Sequence, residues 1–331
     1  MNTKAVNKKN VIIFGSSGFT VPLISSMSSY DAVNLLYVVT GPDKAQGRGY
    51  AILPNPVRKY CTENNIDVRM EFNVNSPEFI EEINSSGADF VIVASFGRIL
   101  SARLIGTKPA FINVHPSLLP KYRGATPIQT ALKNGDVETG VTLFNIVEDL
   151  DAGPMIAQRQ CAIEKTDNFG ELSGKLAVIG AELVRDYIDF VNSGLRRKGI
   201  FDPPLKQNDD DATFTSKIEK QDCLVDWSNE AYIIHNKIRS LSPDIGVFTF
   251  INGQTRIKIF NSYVYDSDYA GDEAAGTVKF VIKKGPIVVK CENSLIALTA
   301  LQFPGKRVMT SAEIANGRRI KIGDIMSDEK K

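Results

Sequence analysis

The chain has 331 residues, 43% of them hydrophobic, and 39 Lys+Arg against 38 Asp+Glu leave a formal net charge of +1. That length suits two domains, with one large domain as the alternative, and the apolar share is enough to build real cores. The near-neutral balance excludes a uniformly basic nucleic-acid coat and leaves room for a local basic patch.

Cys61, Cys161, Cys223 and Cys291 lie far apart, with no CxxC pair and no Cys/His cluster. Neither a metal site nor a disulfide framework is indicated, and reduced thiols in a cytosol-like compartment are expected. No apolar run approaches the ~20 residues that a membrane span needs. The basic start, MNTKAVNKKN, has no apolar stretch and reads as a flexible cytosolic leader rather than a secretory signal.

In chain order, the apolar run Val11–Phe14 reads as a buried parallel strand, ending in the turn Gly15-Ser16-Ser17-Gly18. That turn is a weak phosphate signal, because it is neither GxGxxG nor a Walker loop. Helix-like residues extend to about Met27, and Leu35–Thr40 is a second strand. Residues 41–54 (GPDKAQGRGYAILP) form a long polar loop, and loops of this length are usually functional or disordered. Helices are expected over 57–65 and 77–85, the latter with Ser76 as N-cap. Phe90–Ala94 and Phe111–His115 are buried strands, Pro127–Asn134 is a helix, Val141–Val147 is strand-like, and 169–194 holds a long helix.

The alternation argues for an α/β fold, a Rossmann-like mostly parallel sheet over residues 10–195. Pro203-Pro204 and the Asn208–Asp211 run read as part of a linker over 196–211. From 212 to 322 a helix over 228–241 is followed by short β-type runs, with Asn252-Gly253 as a hairpin signal, which suggests a C-terminal OB-like β-barrel. Its basic residues cluster at Lys279, Lys283 and Lys284, and at Lys306, Arg307, Arg318, Arg319 and Lys321. Such clusters suit phosphate contacts or an ordinary solvated surface.

The chemistry concentrates between Phe111 and Pro154. In a strand, residues i and i+2 share a side, so Asn113 and His115 project together from a strand end, where open α/β sheets bind ligands. Asp151, in Asp-Ala-Gly-Pro, is a carboxylate the fold could bring beside them. An amide donor for an oxyanion, an imidazole for a proton and a carboxylate to orient it suit acyl-type transfer. From pattern alone the pair also suits strand-end caps, and Asp151 a simple turn. Ser117 lacks a GxSxG setting, so no covalent nucleophile is nominated. His235, inside the later helix, reads as a packed or surface histidine.

Asn113-Val-His115-Pro-Ser-Leu-Leu-Pro-Lys-Tyr-Arg-Gly and Asp151-Ala-Gly-Pro resemble the signature of the folate-dependent formyltransferases. Three features resemble the branch acting on charged initiator tRNA: the Pro42-Asp43 … Gly47-Arg48-Gly49 loop, Ala125–Gln129, and Asp226-Trp227-Ser228 with Ile238–Pro243. The resemblance runs from about Val11 to Gly317. It implies a catalytic trio of Asn113, His115 and Asp151, and a folate site lined by Ser117, Leu118, Leu119 and Pro120. It implies tRNA contacts from Lys44 and Arg48, 10-formyltetrahydrofolate as donor, and methionyl initiator tRNA as acceptor. No metal is required, and a cytoplasmic monomer with no membrane partner is expected. A small amine acceptor, or a folate- or RNA-binding protein without turnover, remain the alternatives. Gly-Ser-Ser-Gly in place of Gly-Thr-Pro, Ser95 in place of Tyr, and Pro116 in place of Gly depart from the family's common pattern.

Overall fold

The computed structural model describes residues 8–46, 51–195, 197–317 and 319–329. In chain order the elements are β1 (Lys9–Gly15), α1 (Val21–Ser28), β2 (Val33–Thr40), β3 (Lys44–Gln46), β4 (Ala51–Leu53), α2 (Pro56–Glu63), β5 (Val68–Met70), α3 (Pro77–Ser85), β6 (Phe90–Ala94), α4 (Ala102–Ile105), β7 (Ala110–His115), β8 (Arg123–Gly124), α5 (Pro127–Asn134), β9 (Glu138–Asn145), β10 (Met155–Ala162), α6 (Phe169–Ser193) and β11 (Ile200–Leu205). There follow β12 (Phe214–Thr215), α7 (Ala231–Ser240), β13 (Val247–Ile251), β14 (Thr255–Asp266), β15 (Val278–Val281), β16 (Ile287–Lys290), β17 (Leu295–Gln302), β18 (Met309–Thr310), α8 (Ser311–Asn316) and β19 (Met326–Ser327).

The chain forms two compact units. One takes residues up to Pro127, Glu138–Ala162 and Ser173–Thr215, and the other Ile128–Val137, Ile163–Leu172 and Ser216 onward.

The first unit is built on an eight-stranded sheet of order β11-β10-β9-β7-β6-β1-β2-β5. β5, β2, β1, β6 and β7 run parallel, and β9, β10 and β11 extend the sheet antiparallel. The continuous apolar runs expected of central parallel strands are buried throughout in β6 and over Val11–Phe14 of β1. Phe14 centres an aromatic cluster, 5.2 Å from Phe96 and 6.2 Å, edge-on, from Phe111. Ser76 caps α3 by accepting from the Phe79 N–H at 3.2 Å, ahead of Pro77 at the first turn, as its sequence predicts. Asn55 caps α2 in the same way.

Two differences from the sequence reading matter. Residues 196–211, expected as a linker, contribute β11 to the edge of this sheet. Pro203 and Pro204 lack N–H donors, and an edge strand is where the ladder tolerates that loss. The 41–54 loop contains the β3–β4 antiparallel ladder. Arg48 and the side chain of Lys44, expected to meet tRNA, lie outside the described residues.

The second unit is an antiparallel sheet of order β15-β16-β17-β14-β13-β19, with β18 on β17. Asn252 and Gly253 both adopt positive φ (50° and 69°) and join β13 to β14, as the dipeptide predicts. The sheet closes on itself. The Met326 N–H donates to Gly276 O and the Val278 N–H to Asp324 O, each at 2.8 Å, so the run into β15 meets the run into β19. α7 lays Ile234 and Ile238 into the resulting core beside Trp227, Ile257 and Leu298. The α/β sheet and the barrel expected from sequence are both present.

Candidate active site

β7 ends on the side of the sheet where the parallel strands β6 and β1 also have their carboxyl ends, and it sorts its side chains by alternation. Val114 points to α6, where a Cβ on Gly180 would lie 2.7 Å from its Cγ1. Asn113 and His115 therefore share the opposite face. His115 is buried and Asn113 half-buried. Among the described residues the Asn113 amide has no hydrogen bond from the protein, so its N–H groups are available to a ligand.

The loop after β7 is tied down by one hydroxyl. Thr142 Oγ1 donates to Ser117 O (2.7 Å) and accepts from the Leu119 N–H (3.1 Å) and from Gln158 Nε2 (3.0 Å). The Ser117 hydroxyl donates back to Lys121 O at 2.6 Å. This winding carries Tyr122 O to 2.9 Å from His115 Nε2. A carbonyl can only accept, so Nε2 carries the hydrogen, and Nδ1 is left facing Asp151 Oδ2 at 3.8 Å. That separation is an electrostatic pairing, not a hydrogen bond.

Asp151 holds an uncommon backbone for a non-glycine residue, φ +48°. Its Oδ2 accepts from the Gly124 N–H at 2.7 Å. Its carbonyl, and that of Gly153, each accept from Gln207 Nε2 at 2.8 Å. Gly153 is obligatory, because a Cβ there would lie 1.7 Å from Asn145 O. Arg123, before Gly124, is buried at 4% exposure. Its Nε and Nη2 donate to Gln207 Oε1 (3.0 and 2.9 Å), and Nη2 also to Asp209 Oδ1 (2.8 Å).

The structure thus brings His115 and Asp151 together, with Asn113 on the same strand face. Of the four residues expected to line a folate site, Ser117 and Leu119 are buried. The Ser117 hydroxyl closes the loop, and Leu119 packs on Phe144 and Met155. Leu118 and Pro120 stay half-buried. Sequence reasoning missed Gln207 and Thr142 and quoted Arg123 within the signature without giving it a role, because their partners lie far off in the chain. The Gly15–Gly18 turn is held internally, with Ser17 accepting from the Phe19 N–H and Ser16 Oγ from the Gly41 N–H.

The arrangement can hold a carbonyl oxygen as it gains charge, through Asn113, and accept a proton at His115 Nδ1 beside a fixed carboxylate. Burial pushes the thiols of Cys61 to about 11 and Cys291 to about 12, and raises that of Cys223, so none of these three is a thiolate nucleophile. Among the described residues no helix is long and apolar enough to cross a membrane, and no group of three His, Cys, Asp or Glu could hold a metal ion.

Residues 8–187 match the formyl transferase family and residues 217–319 its C-terminal domain. The chain belongs to the formyl transferase family. Its relatives include the methionyl-tRNA formyltransferase of Dictyoglomus turgidum, 36% identical over 95% of this chain and 98% of the relative. That of Thermotoga neapolitana is 34% identical over 95% of this chain and 96% of the relative. Among solved structures, an N-formyltransferase from Helicobacter canadensis in complex with folinic acid and dTDP-3-aminofucose superposes with a TM-score of 0.61 at 20% identity. That match covers 89% of this chain and 99% of the other and shows a shared fold. In this formyl transferase the Asn113–His115 strand end and the Asp151 turn both lie within the match over residues 8–187.

Proposed function

We propose that this formyl transferase moves the formyl group of 10-formyltetrahydrofolate onto the α-amino group of methionine esterified to initiator tRNA. The observation that carries the reading is the near-full-length likeness to enzymes named methionyl-tRNA formyltransferase, which takes in the barrel as well as the α/β unit.

The free amine attacks the formyl carbon, because an ammonium has no lone pair. The carbonyl oxygen becomes anionic and accepts from the Asn113 amide. The attacking nitrogen loses its proton to His115 Nδ1. The imidazolium so formed is held by Tyr122 O at Nε2 and faces the Asp151 carboxylate. The oxygen's electron pair returns, the bond from carbon to folate N10 breaks, and N10 takes the proton from His115. The folate lies along the 117–120 loop, which presents Leu118 and Pro120. Lys44 and Arg48 meet the acceptor end of the tRNA, and the region 212–322 carries the remaining tRNA contacts. The enzyme works as a monomer in the cytoplasm, a compartment in which free thiols persist.

The test is a formyl-transfer assay with the full chain and 10-formyltetrahydrofolate. Methionine-charged initiator tRNA, charged elongator tRNA, an amino sugar nucleotide and glycinamide ribonucleotide are compared as acceptors. Formylation of the initiator at a kcat/KM of about 10⁴ M⁻¹s⁻¹ or more, with the others far slower, is the expected outcome. Preference for a small amine would overturn the acceptor, and no transfer to any of them would overturn the activity.

A further inference from the structure

We infer that Gln207 is a positioning residue for the reaction, fixing Asp151 at both its main chain and its carboxylate. The inference rests on the catalytic reading of Asp151 given above. Gln207 lies just past β11, at 4% exposure, and its amide is fully committed. Nε2 donates to Asp151 O and Gly153 O, both at 2.8 Å. Oε1 accepts from Arg123 Nε at 3.0 Å and Nη2 at 2.9 Å. Two carbonyls can only accept and a guanidinium can only donate, so the amide has one orientation.

Both ends of Asp151 refer to this one group. The Gln207 amide N–H groups clamp the turn that places Asp151 at φ +48°. Its oxygen holds Arg123, whose main-chain N–H is also fixed on Thr213 O at 2.8 Å. The next N–H in the chain, that of Gly124, is the donor to Asp151 Oδ2. Asp209 balances the charge of the buried guanidinium from the same segment. The carboxylate stands 3.8 Å from His115 Nδ1 with no direct hydrogen bond between them, so nothing in that pair itself sets its geometry. The neighbouring amide does, and a carboxylate misplaced by about 1 Å costs roughly 100-fold in rate.

A double-mutant cycle separates this role from a merely structural one. Formyl transfer is measured for the wild type, Asp151→Asn, Gln207→Ala, Gln207→Glu and the pair Asp151→Asn/Gln207→Ala, with thermal unfolding recorded for each. Gln207→Ala is expected to lower kcat roughly 10- to 100-fold with both KM values held. The double variant is expected to be no slower than Asp151→Asn, because a positioning residue has nothing left to position. Gln207→Glu keeps the acceptor for Arg123 but turns a carboxylate on the two carbonyls, and is expected to be as slow as Gln207→Ala. A wild-type kcat in either Gln207 variant, or a double variant slower by Gln207→Ala's own factor, would overturn the inference. Should Gln207→Ala not fold, the same cycle with Gln207→Glu decides by the same criterion. A wild-type rate in Asp151→Asn would instead overturn the catalytic reading of Asp151.

Discussion

Asn113 differs from its two companions in having no internal partner among the described residues, whereas His115 is bonded to Tyr122 O and Asp151 to the Gly124 N–H. A half-buried amide without a structural bond contributes little to the fold, so its removal should register in catalysis alone. Asn113→Ala is expected to lower kcat by about 10²- to 10³-fold, the loss seen when one oxyanion donor is deleted, while the thermal midpoint barely moves. Steady-state kinetics and calorimetry on one preparation would check both halves. A full rate would remove Asn113 from oxyanion stabilisation. The placement of Asn113 and His115 on one strand face was legible in the sequence for a local reason. A two-residue spacing at a strand end puts Asn113 and His115 on one side whatever the rest of the chain does. Gln207 was not legible, since its bonds reach residues 54 to 84 positions away and its own neighbourhood, Gln-Asn-Asp-Asp-Asp, reads as a polar connector.

Elements followed the same division between local and distant causes. α3, β6 and α5 have the bounds their caps and apolar runs predict, because a Ser-Pro start or an all-apolar five-residue run is decided within a few residues. β11 escaped because its two prolines argue against a strand unless it lies at an edge, and the edge is a property of the whole sheet. The closing strand β19 escaped because two residues carry no periodicity at all. Barrel closure depends on a contact that only glycine permits. Gly276 has φ +87°, and a Cβ on it would lie 2.0 Å from Met326 O, the segment that pairs with β13. Gly276→Ala must therefore break the closing hydrogen bonds or distort both strands. A loss of roughly 2–4 kcal/mol is expected, read as a fall in the urea midpoint followed by Trp227 fluorescence. An unchanged midpoint would mean that closure contributes nothing to the barrel's stability.

At the scale of the whole molecule, a net charge of +1 says little about where charge is placed, and the structure shows why the basic clusters of the second unit are a weaker signal than they look. Lys279 is paired with Glu273 and Arg307 with Glu313, and Arg319 lies over the Phe303 ring. The second unit carries one histidine, the side-chain type whose ordinary pKa lies nearest neutral pH. His235, on α7, has Ser262 Oγ at 3.0 Å from its Nδ1. Burial, and then the Arg239 charge, lower its affinity for a proton below the ordinary 6.5. The folded barrel therefore prefers the neutral ring, and the unfolded chain takes up the proton first as pH falls. Stability is full above about 6.5 and declines through the window between that value and the lower folded one. The carboxylates with depressed values in this unit, Asp226, Glu273 and Glu313, lose their contribution only at lower pH, below the usual carboxylate pKa. Trp227 is the chain's one tryptophan and is buried in the barrel core, so its fluorescence reports this unit. The urea midpoint by that signal is expected to fall between about pH 7.5 and 5.5 in the wild type and to stay nearly level in His235→Asn. An equal fall in both proteins would place the proton uptake on some group other than His235.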